Sequence, residues 1–139
     1  MLRSAFFGLC AAMTALWPLQ AEASACNNEI IAHIAFAKGQ MCWRYHGNAT
    51  TFVGTFAAGQ KVSVTMRGLE TDYDPKTGHN VTFMANRSPD VSGPDKFYVM
   101  ADIDKATLDF VTPAAGGYRF GFSPCAMWGA PGDVEICAR

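Results

Sequence analysis

Residues Lys61–Arg67 read KVSVTMR, an unbroken alternation of polar and apolar side chains. Val62, Val64 and Met66 point one way; Lys61, Ser63, Thr65 and Arg67 point the other. A period of two over this length does not suit the 3.6-residue repeat of a helix. It describes a strand with one buried and one wet face. Ala58-Gly59 just before it is a turn.

The same alternation recurs along the chain. Thr51–Phe56 sets Phe52 and Phe56 on one side, with Gly54 between them. Asn80–Ala85 turns Val81, Phe83 and Ala85 inward, and Phe97–Ala101 does so with Phe97, Val99 and Ala101. Leu108 and Phe110 begin a short strand that Pro113 stops. Tyr118, Phe120 and Phe122 form the next, and Val134 and Ile136 the last, with Cys137 on the opposite face. Most Gly, Pro and Asp residues fall between these runs. Short strands at this spacing predict a mainly β fold, an antiparallel β-sandwich of about 7–8 strands.

One segment departs from the pattern. Asn27–Lys38 (NNEIIAHIAFAK) predicts a single N-terminal helix. Asn27 or Asn28 would cap it, Glu29 suits the first turn and Lys38 the last, and Gly39 ends it. Ile30, Ile34 and Ala37 would share a face. The β-branched residues also permit a strand.

The first residues read as a leader. Arg3 gives a positive start, Ala5–Leu16 is an apolar run too short to span a bilayer comfortably, and Ala21-Glu22-Ala23 and Ala23-Ser24-Ala25 are small-x-small cleavage patterns. The expectation is a signal peptide over residues 1–25 and a single domain over 26–139, periplasmic or secreted. A retained anchor and a lipidated Cys26 are the alternatives. No later apolar run has spanning length. Removing Arg3 and Glu22 takes one charge from each side of a chain with 11 Lys/Arg and 12 Asp/Glu. Near balance without a basic patch argues against nucleic acid as a partner.

Of five cysteines, Cys10 leaves with the leader. Cys26, Cys42, Cys125 and Cys137 remain, an even number in an exported chain, so a disulfide-braced fold is expected. Three connectivities are open. The local pairs Cys26–Cys42 and Cys125–Cys137 are favoured, each closing a short loop and contributing roughly 3 kcal/mol. Without a C-x-x-C there is no zinc-finger spacing.

Catalytic chemistry is not announced. There is no Gly-x-Ser-x-Gly, and Ser63, Ser88, Ser92 and Ser123 have no neighbouring His. His33, His46 and His79 lack the spacing of a helical metal pair. Asp72/Asp74 and Asp102/Asp104 are spaced to share a face of an extended chain, roughly 6–7 Å apart, which is a calcium-chelating arrangement. The first pair lies in TDYDPKTGHN, where Asp-Pro and Thr-Gly mark a turn, so solvated turn residues are the simpler reading. No cofactor is called for. Trp43, Tyr45, Tyr73, Tyr98, Tyr118 and Trp128 are candidates for a sugar-stacking platform. Trp128, in a Gly/Pro loop, is the one expected to be exposed, while Tyr118 leads an inward set.

Residues 52–66, FVGTFAAGQKVSVTM, resemble the F-x-x-x-a-G-Q-x-V-x-V strand pair of bacterial pre-peptidase C-terminal domains. They are also similar to strands of the periplasmic inhibitors of invertebrate-type and goose-type lysozymes. Residues 115–120, AGGYRF, resemble the S-G-x-Y turn and strand of both groups. The match spans roughly residues 50–123. It implies a β-sandwich without catalysis. In the inhibitors the turn enters the lysozyme cleft. On that resemblance Ala115 takes the Ser position, Gly116 the Gly, Gly117 the free position and Tyr118 the Tyr. Ala115 departs from the pattern and removes a hydroxyl; Arg119, next along, offers a charge for an acidic cleft.

The expected function is therefore an exported, non-catalytic binding protein, in its sharpest form an inhibitor of a cell-wall hydrolase. The binding residues would be Ala115, Gly116, Gly117, Tyr118, Arg119 and Trp128, and the partner a protein or a glycan. A carbohydrate-binding module and a small secreted enzyme are the alternatives. The bland reading of Gly116-Gly117 is a tight entry into a strand.

Overall fold

The computed structural model describes residues 29–123 and 132–139. Ten strands occur among them: β1 Ile31–His33, β2 Cys42–Gly47, β3 Thr51–Phe56, β4 Lys61–Asp74, β5 His79–Asn86, β6 Ser88–Ser92, β7 Tyr98–Met100, β8 Thr107–Val111, β9 Gly116–Ser123 and β10 Gly132–Ala138. They form two sheets. One has the order β1-β3-β9-β6-β7. The other has the order β2-β10-β4-β5, with β8 beside the first half of β4. All pairings are antiparallel except β1 with β3.

Alternation builds the core. Phe52, Phe56, Val91, Tyr118 and Phe120 come from the first sheet, and Val62, Val64, Met66 and Ile136 from the second; all are essentially excluded from solvent. Aromatic rings join the layers. Phe110 lies 6.3 Å from both Tyr118 and Phe120, and Trp43 meets Phe52 edge-on at 6.0 Å. Such contacts add about 1 kcal/mol each beyond the area they bury.

β4 is long because it serves two partners on one side. Lys61–Thr65 pair with β8, and Arg67–Asp74 pair with β5. β10 covers the other side only as far as Gly68. Past that point β4 and β5 continue as a two-stranded arm closed at Asp74–His79. Asp74 fastens the turn: its carboxylate accepts from the Lys76 amide at 2.9 Å and the Thr77 hydroxyl at 3.0 Å.

Four expectations are corrected. Asn27–Lys38 is not a helix in its described part. Ile31–His33 pairs with Thr51–Val53, the Ile34 amide donates to the Val53 carbonyl at 2.8 Å, and Ala32, Ile34 and Phe36 pack on the core. The true period there is two. Ala32, Ile34 and Phe36 alternate with Ile31, His33 and Ala35, and the β-branched isoleucines suit a pleated edge better than a helix face. Strands number ten rather than 7–8, because β1 lies within the expected helix, the alternation of β2 is only two apolar positions long (Trp43 and Tyr45), and the Ser/Pro/Asp-containing β6 shows none.

The cysteine pairing also differs. Cys42 is bonded to Cys137, so neither Cys26–Cys42 nor Cys125–Cys137 exists; Cys26 and Cys125 lie outside the described residues. The register explains it: β2 and β10 run antiparallel with Cys42 directly opposite Cys137, both on the outer face of the sheet. Sequence proximity favoured the short loops, but the sheet register sets the distant Cys137 directly opposite Cys42. Asp102 and Asp104 sit in a turn, with Asp104 at φ 65°, not on an extended strand. Among the described residues, no helix is long and apolar enough to cross a membrane.

Candidate functional site

Two turns meet at the end of the sandwich where β3 ends, β4 begins and β9 begins. The first, residues 57–60, carries the Gly-Gln pair. Gly59 has φ +78°, a conformation that favours glycine. Gln60 closes the turn itself, its side-chain oxygen accepting from the Ala57 amide at 2.7 Å. The second, residues 112–116, starts at fully buried Thr112. Its hydroxyl donates to the Ala57 carbonyl at 2.6 Å and accepts from the Gln60 amide at 2.9 Å. The Gly59 amide donates to the Thr112 carbonyl at 2.8 Å, and the Thr112 amide to that of Gln60 at 3.0 Å. Thr112 thus straps the two turns together with its backbone and side chain.

Tyr118 holds the second turn from inside. Its ring is 2 % exposed and packs against Phe56, Phe97 and Phe110. Its hydroxyl donates to the Ala114 carbonyl at 2.7 Å, at the crest of the loop. Gly93 lies against this ring so closely that a Cβ there would come within 2.4 Å of Cε1.

The two glycines have different jobs. Gly116 has φ +149°, and a Cβ on it would lie 2.8 Å from Pro94 Cγ, so both backbone and packing require glycine. A Cβ on Gly117 would meet nothing within 4 Å. Packing therefore leaves Gly117 free, and the start of β9 presents bare backbone to solvent close to exposed Ala115.

From Gly117 a groove of about 720 Å³ runs over the outer face of the first sheet, past Arg119, Ser92, Thr55 and His33. Glycine at 117 keeps that floor low. Arg119 is ion-paired with Glu29, whose carboxylate also accepts from the Thr51 hydroxyl at 2.6 Å. The guanidinium on offer to a ligand is therefore a shared one. Beside the groove, Tyr98 donates to Asp90 at 3.3 Å. Burial, then the charge of Asp90 and that hydrogen bond, hold the Tyr98 phenol above its ordinary 10.0.

Sequence reasoning missed the turn Pro94–Lys96, which abuts Gly116. Asp95 and Lys96 have φ 55° and 62°, two consecutive side-chain-bearing residues in the left-handed region. The Gly93 amide donates to the Phe97 carbonyl, and the Phe97 amide to that of Pro94, both at 3.0 Å. Each such residue costs of order 1 kcal/mol, and strain of this kind concentrates at sites of contact. Gly93-Pro94-Asp95 was the available signal, a turn triplet between two strands.

The remaining candidates do not converge. Trp128 lies outside the described residues. Trp43 and Tyr45 stack on each other at 5.8 Å, but on the core side of β2. Tyr73 is exposed on the arm, and Tyr118 is internal, so no sugar platform assembles among the described residues. Asp72 and Asp74 are likewise on the arm, and the Asp74 carboxylate is committed to its turn. His46 contacts Asp133 at 2.6 Å on the outer face of the second sheet, while the Ser88 hydroxyl donates to the Asp102 carbonyl. No described serine joins a histidine. Cys42, Glu135 and Cys137 cluster, yet the two sulfurs are bonded to each other and are not free as metal ligands.

The architecture is that of a small two-sheet β protein with one strapped rim. Among solved structures it is similar to Salmonella Typhimurium PliG, described as a periplasmic lysozyme inhibitor of g-type lysozyme. Identity is 19 %, the match covers 78 % of this chain and 97 % of that one, and the TM-score is 0.51. It is also similar to a mutant of Escherichia coli PliG, of the same description, at 16 % identity, the same coverage and a TM-score of 0.52. The likeness is one of fold, and both neighbours are inhibitors rather than enzymes. No protein-family model and no curated protein matches the chain.

Proposed function

We propose that this chain is an exported, non-catalytic protein that inhibits a cell-wall hydrolase, with a g-type lysozyme as the first candidate. On this reading residues 1–25 are a leader and 26–139 one periplasmic domain. The contact is made by Ala115, Gly116 and Gly117, with Arg119 and the Pro94–Lys96 turn flanking them. Kinship with the pre-peptidase domains belongs to the same proposal. One observation carries it: Gly117 is bare where packing does not ask for glycine, at the start of β9 where the strand leaves a turn fixed by Thr112 and Tyr118. A loop already ordered loses little entropy on binding. Tyr118 then acts from within, holding the loop's shape, and Ala115 leaves hydrogen bonding to the backbone and to Arg119. PliG's own described target favours g-type lysozyme over the others.

The test is inhibition of c-, i- and g-type lysozymes by the purified protein, compared with Gly117→Trp. Inhibition of the g-type enzyme that Gly117→Trp abolishes supports the reading. No inhibition of any type removes it.

A further inference from the structure

The arm formed by β4 and β5 extends roughly 20 Å beyond Gly68, at the pole opposite the strapped turns. A lone two-stranded ribbon is marginal in water. This one nonetheless exposes Tyr73, Val81, Phe83 and Met84, each more than 40 % accessible. The outer edge of β5 pairs with no strand among the described residues. Its sequence, HNVTFMAN, has no Lys, Glu or Pro, and its register with β4 is unbroken by a bulge. The devices that normally blunt a free edge are missing.

We propose that this edge is an interface for a second copy of the chain, with β5 pairing antiparallel to β5 about a two-fold axis at Thr82. In that register Val81 faces Phe83 of the second copy and Phe83 faces its Val81. Thr82 meets its own counterpart, as it already meets Thr71 across the arm at 3.0 Å. Residues facing each other share parity, so the amides that point away from β4 point at one another. A β-branched residue against an aromatic one is a favourable cross-strand pair.

Charge selects β5 over the outer edge of β4, which likewise has no partner strand past Gly68 among the described residues. A two-fold on residues 69–74 of β4 would bring Asp72 or its acidic neighbours against their own copies. Pairing through uncharged β5 holds the two acidic strands three spacings apart, about 14 Å, beyond the screening length of about 8 Å. One strand edge buries less than the roughly 1,600 Å² of a standard interface, so the dimer is weak and concentration-dependent. Both strapped rims stay free, and the inference does not rest on the inhibitor reading.

The test is sedimentation of the purified protein from about 1 to about 300 µM, a range wide enough to reveal a weak small-interface dimer, beside Thr82→Lys and Phe83→Ser. The expected result is a monomer–dimer equilibrium, weakened at least about tenfold by either substitution, a shift of about 1.4 kcal/mol. Circular dichroism should be unchanged. Hydrogen exchange at 79–86 should slow as wild-type concentration rises. A monomer throughout overturns the proposal and leaves the edge to a different occupant. A dimer indifferent to both substitutions, or open-ended association, overturns it too.

Discussion

Alanine placed at Gly116 and at Gly117 separates a glycine required by the fold from one required by nothing inside it. At Gly116 an added methyl meets two penalties. A φ of +149° is outside the range L side chains adopt readily, which costs about 1–3 kcal/mol. The Cβ also lies 2.8 Å from Pro94 Cγ, and Pro94 leads a turn already holding Asp95 and Lys96 at positive φ. Crowding that cannot relax costs about 1 kcal/mol more. The total for Gly116→Ala is about 3 kcal/mol, or roughly 10 °C in Tm for a domain near this size. Gly117→Ala meets open space and sits within a strand, so its effect is within about 0.5 kcal/mol of zero, or slightly stabilising through the unfolded chain.

Urea titration followed by circular dichroism measures both. With a slope near 1.5 kcal/mol/M, Gly116→Ala lowers the midpoint by about 2 M, and Gly117→Ala leaves it in place. Equal effects at the two positions, or a loss below about 1 kcal/mol at Gly116, would refute the division of labour and with it the argument that Gly117 is bare for a reason outside the fold.

Other outcomes follow from the same geometry. A non-reducing digest yields a peptide linking Cys42 to Cys137, and the Cys42→Ala/Cys137→Ala variant loses about 4–5 kcal/mol, because the bond spans 95 residues and long loops gain most from closure; a Cys26–Cys42 peptide would sink this. Thr112→Val keeps the shape but strands the Ala57 carbonyl and the Gln60 amide, costing about 2–3 kcal/mol in denaturant titration; a neutral result would mean the strap is not needed. Tyr98 has a folded-state pKa above its unfolded one, so its contribution is complete below pH 10.0 and fades as pH rises through the higher folded value. Stability should therefore fall on the alkaline side, and Tyr98→Phe should flatten that limb.

Much of the fold could be read from alternation. Lys61–Arg67, Thr51–Phe56 and Tyr118–Phe122 lie within strands with the expected faces inward, because one buried and one wet face leave a period of two in the sequence. The reading fails where a strand lacks that contrast. β1 is an edge, so Ile31 is exposed and Ala32 half-buried, and helix-like spacing becomes an accident of the same letters. On the arm the alternation is present but the burial is not: Val81 and Phe83 face the same side as Met66 yet stay exposed. Sequence gives the face of a strand, not whether anything covers it. The Cys42–Cys137 bond was out of reach for a related reason, since β10 inserts between β2 and β4, an order no local pattern encodes. At the site, AGGY was visible as a motif. The partition of its roles was not, because it depends on Pro94, Ala114 and Thr112, which are distant in sequence or chemically plain.

If the rim is the contact surface proposed above, that partition changes what kind of binder it can make. In the motif resembled by residues 115–118, a serine hydroxyl opens the loop; here the position is alanine. A lost hydroxyl weakens recognition only if nothing else supplies direction. Three features supply it. Thr112 and Tyr118 fix the backbone of residues 112–118, Gly117 leaves that backbone uncovered, and Arg119 stands in the adjoining groove with its charge partly answered by Glu29. A paired arginine is a conditional donor: an incoming carboxylate must compete with Glu29, which favours a dry acidic cleft over a dispersed negative surface. On the inhibitor proposal, Glu29→Gln should therefore tighten binding to an acidic cleft and speed association at low salt, whereas Arg119→Gln should weaken it; calorimetry and stopped-flow against whichever lysozyme the inhibition assay identifies read both. If Glu29→Gln weakens binding as much as Arg119→Gln does, the pair acts only as a brace for the edge strand, and recognition rests on the glycine backbone alone.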